Sequence, residues 1–207
     1  VKALCADTFV NFSAGDMMLN ADNKVTIYVD QNDCKGVLTA AKNLATDIKN
    51  VCGSATDIVT NSSNARIIAG TIGHSQAIDK IMKQRKSDMK QLKGKREMFI
   101  ITVEGNQLVI AGSDRRGTIY GIYELSRQIG VSPWYYWADT PIEKHSRIYI
   151  NKGVYTDGEP AVRYRGIFLN DEAPCLTTWV KNTFGTDYGN HEFYAKVFEL
   201  TLRLKGN

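Results

Sequence analysis

The sequence predicts an α+β fold over residues 1–155, a mixed sheet with helices packed on one side. Over residues 156–207 it predicts the first β/α unit of a truncated (β/α)8 barrel. Three observations carry this. Short β-branched runs alternate with amphipathic helical stretches through the first 150 residues. Gly105-Asn106 joins two of those runs as a hairpin, which puts an antiparallel pair into the sheet. Beyond them, Val162–Pro174 reads as an apolar strand that ends in an amide and two carboxylates, and an apolar helix follows it.

In chain order, residues 1–24 are mixed in character, with Phe9, Val10 and Phe12 placed to tuck against the first domain. Val25–Val29 is a β-branched strand. Asp33 is positioned to cap a helix whose apolar residues Val37, Ala41, Leu44, Ile48 and Val51 recur at three- and four-residue spacing, and Gly53 ends it. Asp57–Thr60 and Arg66–Gly70 are two further short strands. A helix from about His74, with Ala77, Ile78 and Ile81 inward, is expected to dissolve into a lysine-rich loop. Met98–Val103 and Gln107–Ala111 form the hairpin. The next helix buries Ile119, Ile122, Leu125 and Ile129. Its Gly117 and Gly121, one turn apart, allow close approach to another element. Gly130 closes it. Ser146–Ile150 is a strand, and the Gly-, Asp- and Pro-rich stretch Gly153–Pro160 marks the domain boundary.

Past that boundary, Ile167, Phe168 and Leu169 in a row predict a strand covered on both faces, as in a parallel barrel. Asn170, Asp171 and Glu172 then fall at its C-terminal end, the face on which barrel active sites are built. Pro174 turns the chain out, and Asn190–Leu204 is the expected helix. Arg163 and Arg165 precede the apolar run and so lie at the opposite end, where a structural ion pair suits them better than a substrate contact.

Composition narrows the function classes. Hydrophobic content of 43% with 23% charged residues is ordinary for a globular chain, and no run of about 18 apolar residues exists to span a membrane. The net charge is +4, with its basic part concentrated between Lys80 and Arg96. No aromatic residues interleave that run, so a solvated helix and loop accounts for it better than a nucleic-acid footprint. The four cysteines lack metal-type spacing. Cys34 and Cys52 bracket a helix of roughly 27 Å, too long for a disulfide between them. Asn11-Phe-Ser13 and Asn61-Ser-Ser63 fit the glycosylation acceptor pattern. His74 and His145 have no partners at metal-ligand spacing, and no phosphate loop or activated-serine elbow occurs. No cofactor is implied.

Two stretches allow a functional as well as a structural reading. Trp134-Tyr-Tyr-Trp137 either seals the domain against its neighbour or offers a sugar-stacking platform. Trp179, placed in the loop after the strand, either stacks on a sugar ring or packs down.

Three long segments together resemble glycoside hydrolase family 115, the xylan α-1,2-glucuronidases. They are Arg116–Asp139, Tyr164–Pro174 and Asn190–Asn207. The resemblance implies an α+β domain similar to that preceding the barrels of hexosaminidases and glucuronidases, followed by a (β/α)8 catalytic barrel. It implies inverting removal of (4-O-methyl)glucuronic acid branches from xylan by a secreted or periplasmic enzyme. Inversion needs two carboxylates about 6.5–9.5 Å apart. Asp171 and Glu172 cannot form that pair, because strand neighbours point to opposite faces and loop neighbours sit too close together. The catalytic acid and base are therefore unknown and expected beyond residue 207. Asp171 or Glu172, with Asn170 and Trp179, is expected to bind substrate. The competing reading is that Asn170, Asp171 and Glu172 only organise their loop. On this reading the 207 residues alone are inactive. Val197, Phe198, Leu200, Leu202 and Leu204 then lack a barrel partner and favour a dimer or domain exchange. The alternative is a non-catalytic carbohydrate-binding or interaction domain with residues 134–137 as its contact.

Overall fold

The computed structural model describes residues 7–170, 173–185 and 189–207. The chain divides into two compact units, Val1–Ala161 and Val162–Asn207. In the first unit, chain order gives β1 (Val10–Asn11), β2 (Met17–Met18), β3 (Lys24–Val29), α1 (Lys35–Cys52), β4 (Ala55–Val59) and β5 (Ile67–Thr71). Then come α2 (Gln76–Gln84), α3 (Lys86–Leu92), β6 (Phe99–Glu104), β7 (Gln107–Gly112), α4 (Arg115–Gln128), β8 (Tyr149–Ile150) and β9 (Val154–Tyr155).

Six strands form a mixed sheet in the order β4-β3-β5-β7-β6-β9. β4, β3, β5 and β7 run parallel, while β6 is antiparallel to both β7 and β9. The expected hairpin is present, with Glu104 opposite Gln107 and Gly105 at φ +59°, a value that glycine adopts without a Cβ penalty. The α1 stripe is buried along its length. Gly53 ends the helix in the left-handed region and donates its N–H to Lys49 O at 2.9 Å. The thiols of Cys34 and Cys52, at opposite ends of this continuous helix, are both free.

The sequence reading placed all helices on one side of the sheet; the structure places them on both. A Cβ on Gly121 of α4 would meet Ile110 and Phe99, and a Cβ on Gly36 of α1 would meet Ile119 of α4. So α1 and α4 share one face. A Cβ on Gly70 would meet Ser75 and Ile78 of the α2 region, on the opposite face. There Ile78, Met82 and Leu92 join Ile68, Ile100, Val109 and Ala111 in one core cluster. The cause lies in β5, all five of whose residues are buried. Successive strand residues point to opposite faces, so full burial demands cover on both. That second cover comes partly from α3, in the stretch read from sequence as a loop.

Two further details differ from expectation. Asp33 does not cap α1 at the N-cap position, which Cys34 occupies. It cross-links instead, its carboxylate accepting from Cys34 N at 2.7 Å and from Thr71 N at 2.8 Å. The connector Gly153–Pro160 is docked rather than loose. β9 extends the sheet, and Thr102 donates to Gly153 O at 2.8 Å. A small second sheet, in the order β1-β8-β2, ties residues 10–18 to residues 149–150.

The second unit consists of an irregular segment from Val162 and the helices α5 (Cys175–Phe184) and α6 (His191–Arg203). Here the expectation of a strand covered on both faces is not met. Phe168 is 91% exposed, Ile167 40% and Leu169 36%. A strand needs neighbouring strands to satisfy its N–H and C=O groups, and among the described residues no strand pairs with this segment.

Candidate functional site

The start of the second unit is built from backbone hydrogen bonds. Asn207 N donates to Arg165 O at 2.8 Å, and Arg165 N donates back to Asn207 Oδ1 at 3.1 Å. The Asn207 amide also donates to Arg163 O at 2.6 Å. The Arg165 guanidinium donates to Lys205 O at 2.9 Å and Val162 O at 2.7 Å. Its planar fork thus gathers carbonyls from two ends of the unit. Gly206 fits this clasp because a Cβ would press on Thr201 and on Arg165 O.

From this anchored base the chain runs out through Ile167 to Asn170, which is exposed. Asp171 and Glu172, the two carboxylates singled out by sequence, lie outside the described residues. Trp179 sits on α5 and not in a loop; it is 39% exposed, with its ring edge-on to Phe184 at 5.9 Å. Phe184 in turn meets Phe193 of α6 at 6.2 Å, and Phe193 is fully buried. Trp179 is therefore propped by the half-buried Phe184, which itself rests on the buried Phe193. The exposed face of such a ring can stack on a sugar.

Sequence reasoning missed α5. The signal was present in Leu176, Val180 and Phe184, which recur every four residues behind Pro174. It was obscured by the polar stretch Lys181–Thr183. α6 begins as expected, with Asn190 Oδ1 accepting from Phe193 N at 2.9 Å. Along it, Glu199 pairs with Lys196 at 3.4 Å and with Arg203 at 2.9 Å. Val197 and Leu200 of the predicted apolar face are buried, while Phe198 is 60% exposed and Leu204 39%.

In the first unit the aromatic run 134–137 forms a turn in which Trp134 is 42% exposed. Tyr136 and Trp137 meet edge-on at 5.3 Å. His145 is stacked on Phe12 with ring centroids 3.4 Å apart, a packing role. No group of three metal-ligating side chains occurs among the described residues. In the second unit, the partly exposed ring of Trp179 on α5 is the aromatic surface that a sugar could meet.

Comparison with known proteins adds the context. Residues 17–125 match the family described as Glycosyl hydrolase family 67 N-terminus, and residues 157–207 match Glycosyl hydrolase family 115. Among curated proteins nothing matches the chain at a comparable level. Among solved structures, the chain is similar to BtGH115A, described as a family GH115 4-O-methyl-α-glucuronidase with specificity for decorated arabinogalactans. The two share 37% identity over 93% of this chain, with a TM-score of 0.82. It is also similar in fold to CpGH84D, at 10% identity over 81% of the chain and a TM-score of 0.52. The chain spans about a quarter of the length of each of these structures.

Proposed function

We propose, from the premise that the chain belongs to glycosyl hydrolase family 115 with a family 67-type domain at its start, that it is the N-terminal part of an α-glucuronidase. The enzyme removes (4-O-methyl)glucuronic acid branches from a plant polysaccharide, either xylan or a decorated arabinogalactan. The observation that carries this reading is the match to a glucuronidase at 37% identity over 93% of the chain.

On this proposal, residues 1–155 form the leading domain and residues 156–207 open the catalytic (β/α)8 barrel, with Val162–Asn170 as its first strand. The exposure of Ile167, Phe168 and Leu169 supports this, since a barrel strand needs both neighbours and an outer helix layer for cover. In the inverting reaction, one carboxylic acid protonates the glycosidic oxygen as the bond from the sugar's C1 breaks. A second carboxylate takes a proton from the water that attacks C1 from the other face. Both belong to the three quarters of the relative's length that this chain does not span. Asn170 and Asp171 or Glu172 would bind the glucuronate ring, and Trp179 would stack on it. A polymeric substrate supports a location outside the cytoplasm, secreted or periplasmic. The exposed Phe198 supports self-association of the isolated 207 residues, which sedimentation velocity would reveal as a concentration-dependent dimer.

The deciding experiment expresses the 207 residues and, separately, the whole gene product that contains them. Each is incubated with glucuronoxylan and with arabinogalactan, and released acidic sugar is resolved by anion-exchange chromatography. Release by the gene product but not by the 207 residues is expected. A gene product that binds these polymers and releases nothing would sink the reading. It would favour the second one, a carbohydrate-binding domain, which Trp134 supports through its exposure at the head of the aromatic run. Loss of binding in Trp134→Ala would then identify the contact.

A further inference from the structure

The charge of this chain is unevenly distributed. Residues 80–96 hold eight Lys or Arg against the single acid Asp88, a formal +7, while the whole chain carries +4. The remaining 190 residues are therefore net −3. The structure turns that run into a surface. Ile78, Met82 and Leu92 are fully buried and pin α2 and α3 to the sheet. The intervening side chains have only the outer side left.

Three of the eight cations are engaged within the fold. Arg85 pairs with Asp88 at 2.6 Å and Glu104 at 3.0 Å, and Lys95 pairs with Glu159 at 3.3 Å. Arg96 donates to Pro160 O at 3.0 Å. The other five, Lys80, Lys83, Lys86, Lys90 and Lys93, are all exposed, and none has a carboxylate partner among the described residues. Nearby carboxylates are already committed. Asp79 accepts from Gly73 N at 2.9 Å, and Asp88 is buried beside Arg85. Five unneutralised ammonium groups, four on α2 and α3 and Lys93 just past the end of α3, make a positive surface whose field reaches about 8–10 Å into physiological salt.

We infer that the α2–α3 face is a docking surface for acidic polysaccharide, recognising the carboxylates of uronate-bearing chains. The choice of polyanion rests on the polysaccharide function proposed above and on the absence of Phe, Tyr or Trp from residues 80–96. Single-stranded nucleic acid is ordinarily held by charge together with aromatic stacking. Ammonium point charges without stacking partners suit isolated carboxylates on a sugar polymer. Such a surface would raise the local concentration of branched substrate and would contribute little to recognition of a short oligosaccharide.

The test uses affinity electrophoresis of the 207-residue chain in gels containing glucuronoxylan, or the same polymer after carboxyl reduction. The variant Lys83→Glu/Lys86→Glu/Lys90→Glu/Lys93→Glu, whose positions are all exposed, is run alongside with circular dichroism to check its fold. Retardation by the native polymer is expected, abolished by carboxyl reduction or by added salt and weakened at least about tenfold in the variant. Equal retardation by the reduced polymer, or an unchanged variant, would overturn the docking surface. Tighter retention by duplex DNA than by glucuronoxylan would overturn the polysaccharide assignment. In the whole gene product, the variant should release glucuronate from a short oligosaccharide at the wild-type rate. If the gene product releases none while charge-dependent retention persists, the glucuronidase reading fails and the surface stands.

Discussion

Gly117→Ala should destabilise the first unit although alanine is the better helix former. A Cβ at residue 117 would sit 2.1 Å from the Met98 carbonyl oxygen. Ordinary carbon–oxygen contacts begin near about 3.3 Å, so α4 must retreat by roughly 1 Å or the 98–99 backbone must move. The obstacle is main chain and cannot rotate away. Retreat would also stretch the cap in which Gly117 N donates to Asp114 at 2.8 Å. Overpacking costs about 1–3 kcal/mol, with the upper end expected for a backbone clash. Helix propensity returns at most about 1 kcal/mol. The net loss should be about 2 kcal/mol, or about 4–8 °C in Tm for a domain of this size. Gly121→Ala is the control. Its Cβ would lie 2.7 Å from Ile110 Cγ2 and 3.1 Å from Phe99 Cβ, side-chain rather than main-chain atoms, so its loss should be smaller than that of Gly117→Ala. Urea unfolding followed by far-UV circular dichroism measures both. A Gly117→Ala protein as stable as wild type, or a Gly121→Ala protein that loses more, would refute the close-approach argument.

Other consequences are open to measurement. Asp33→Ala removes the acceptor for both Thr71 N and Cys34 N in a buried position, and should cost about 1–3 kcal/mol in urea unfolding. Asn190→Ala removes the α6 cap and should cost about 1 kcal/mol, read as lost helicity in the second unit. The Arg96 backbone N–H, and then the Lys95 ammonium, hold the exposed Glu159 carboxyl below its ordinary value. A depressed carboxylate stabilises above its unfolded pKa and loses that contribution as the pH falls through the folded one. The difference in Tm between wild type and Glu159→Gln should therefore be present at neutral pH, shrink below about pH 4 and vanish in stronger acid. In the whole gene product, Trp179→Ala should raise KM more than it lowers kcat if the ring stacks on sugar. An unchanged KM would assign it to packing.

The sequence shows its structure where one periodicity dominates. β3 has Val25, Ile27 and Val29 buried in alternation, and α1 keeps an uninterrupted apolar stripe, so both were legible. α3 was not, because Leu92 is fully buried amid lysines and a seven-residue helix is too short to display a stripe. Cover on both faces of the sheet was hidden for the same reason, since half of that cover lies in the lysine-rich run. The apolar triplet at 167–169 misled in the opposite direction. Hydrophobicity reports what a segment would bury, while a strand forms only where partners supply its hydrogen bonds. At the candidate site, Trp179 was singled out from sequence but assigned to a loop. Its support by Phe184 and Phe193 depends on a contact between two helices that no local pattern encodes.

The small sheet that joins β1 and β2 to β8 also governs the order of events during synthesis. Phe9 and Leu19 are fully buried, and Leu19 N donates to Ile148 O at 2.7 Å. Phe9 N donates to Gln128 Oε1 at 2.9 Å. None of these partners exists until some 120–130 further residues have left the ribosome, about 6–26 s later at 5–20 residues per second. During that interval residues 9–19 have no partner strand to join, and they carry Phe9, Val10, Phe12, Met17 and Leu19 unprotected. Residues 9–19 are thus where a chaperone would hold the nascent chain, and where a stalled ribosome would leave apolar side chains open to aggregation.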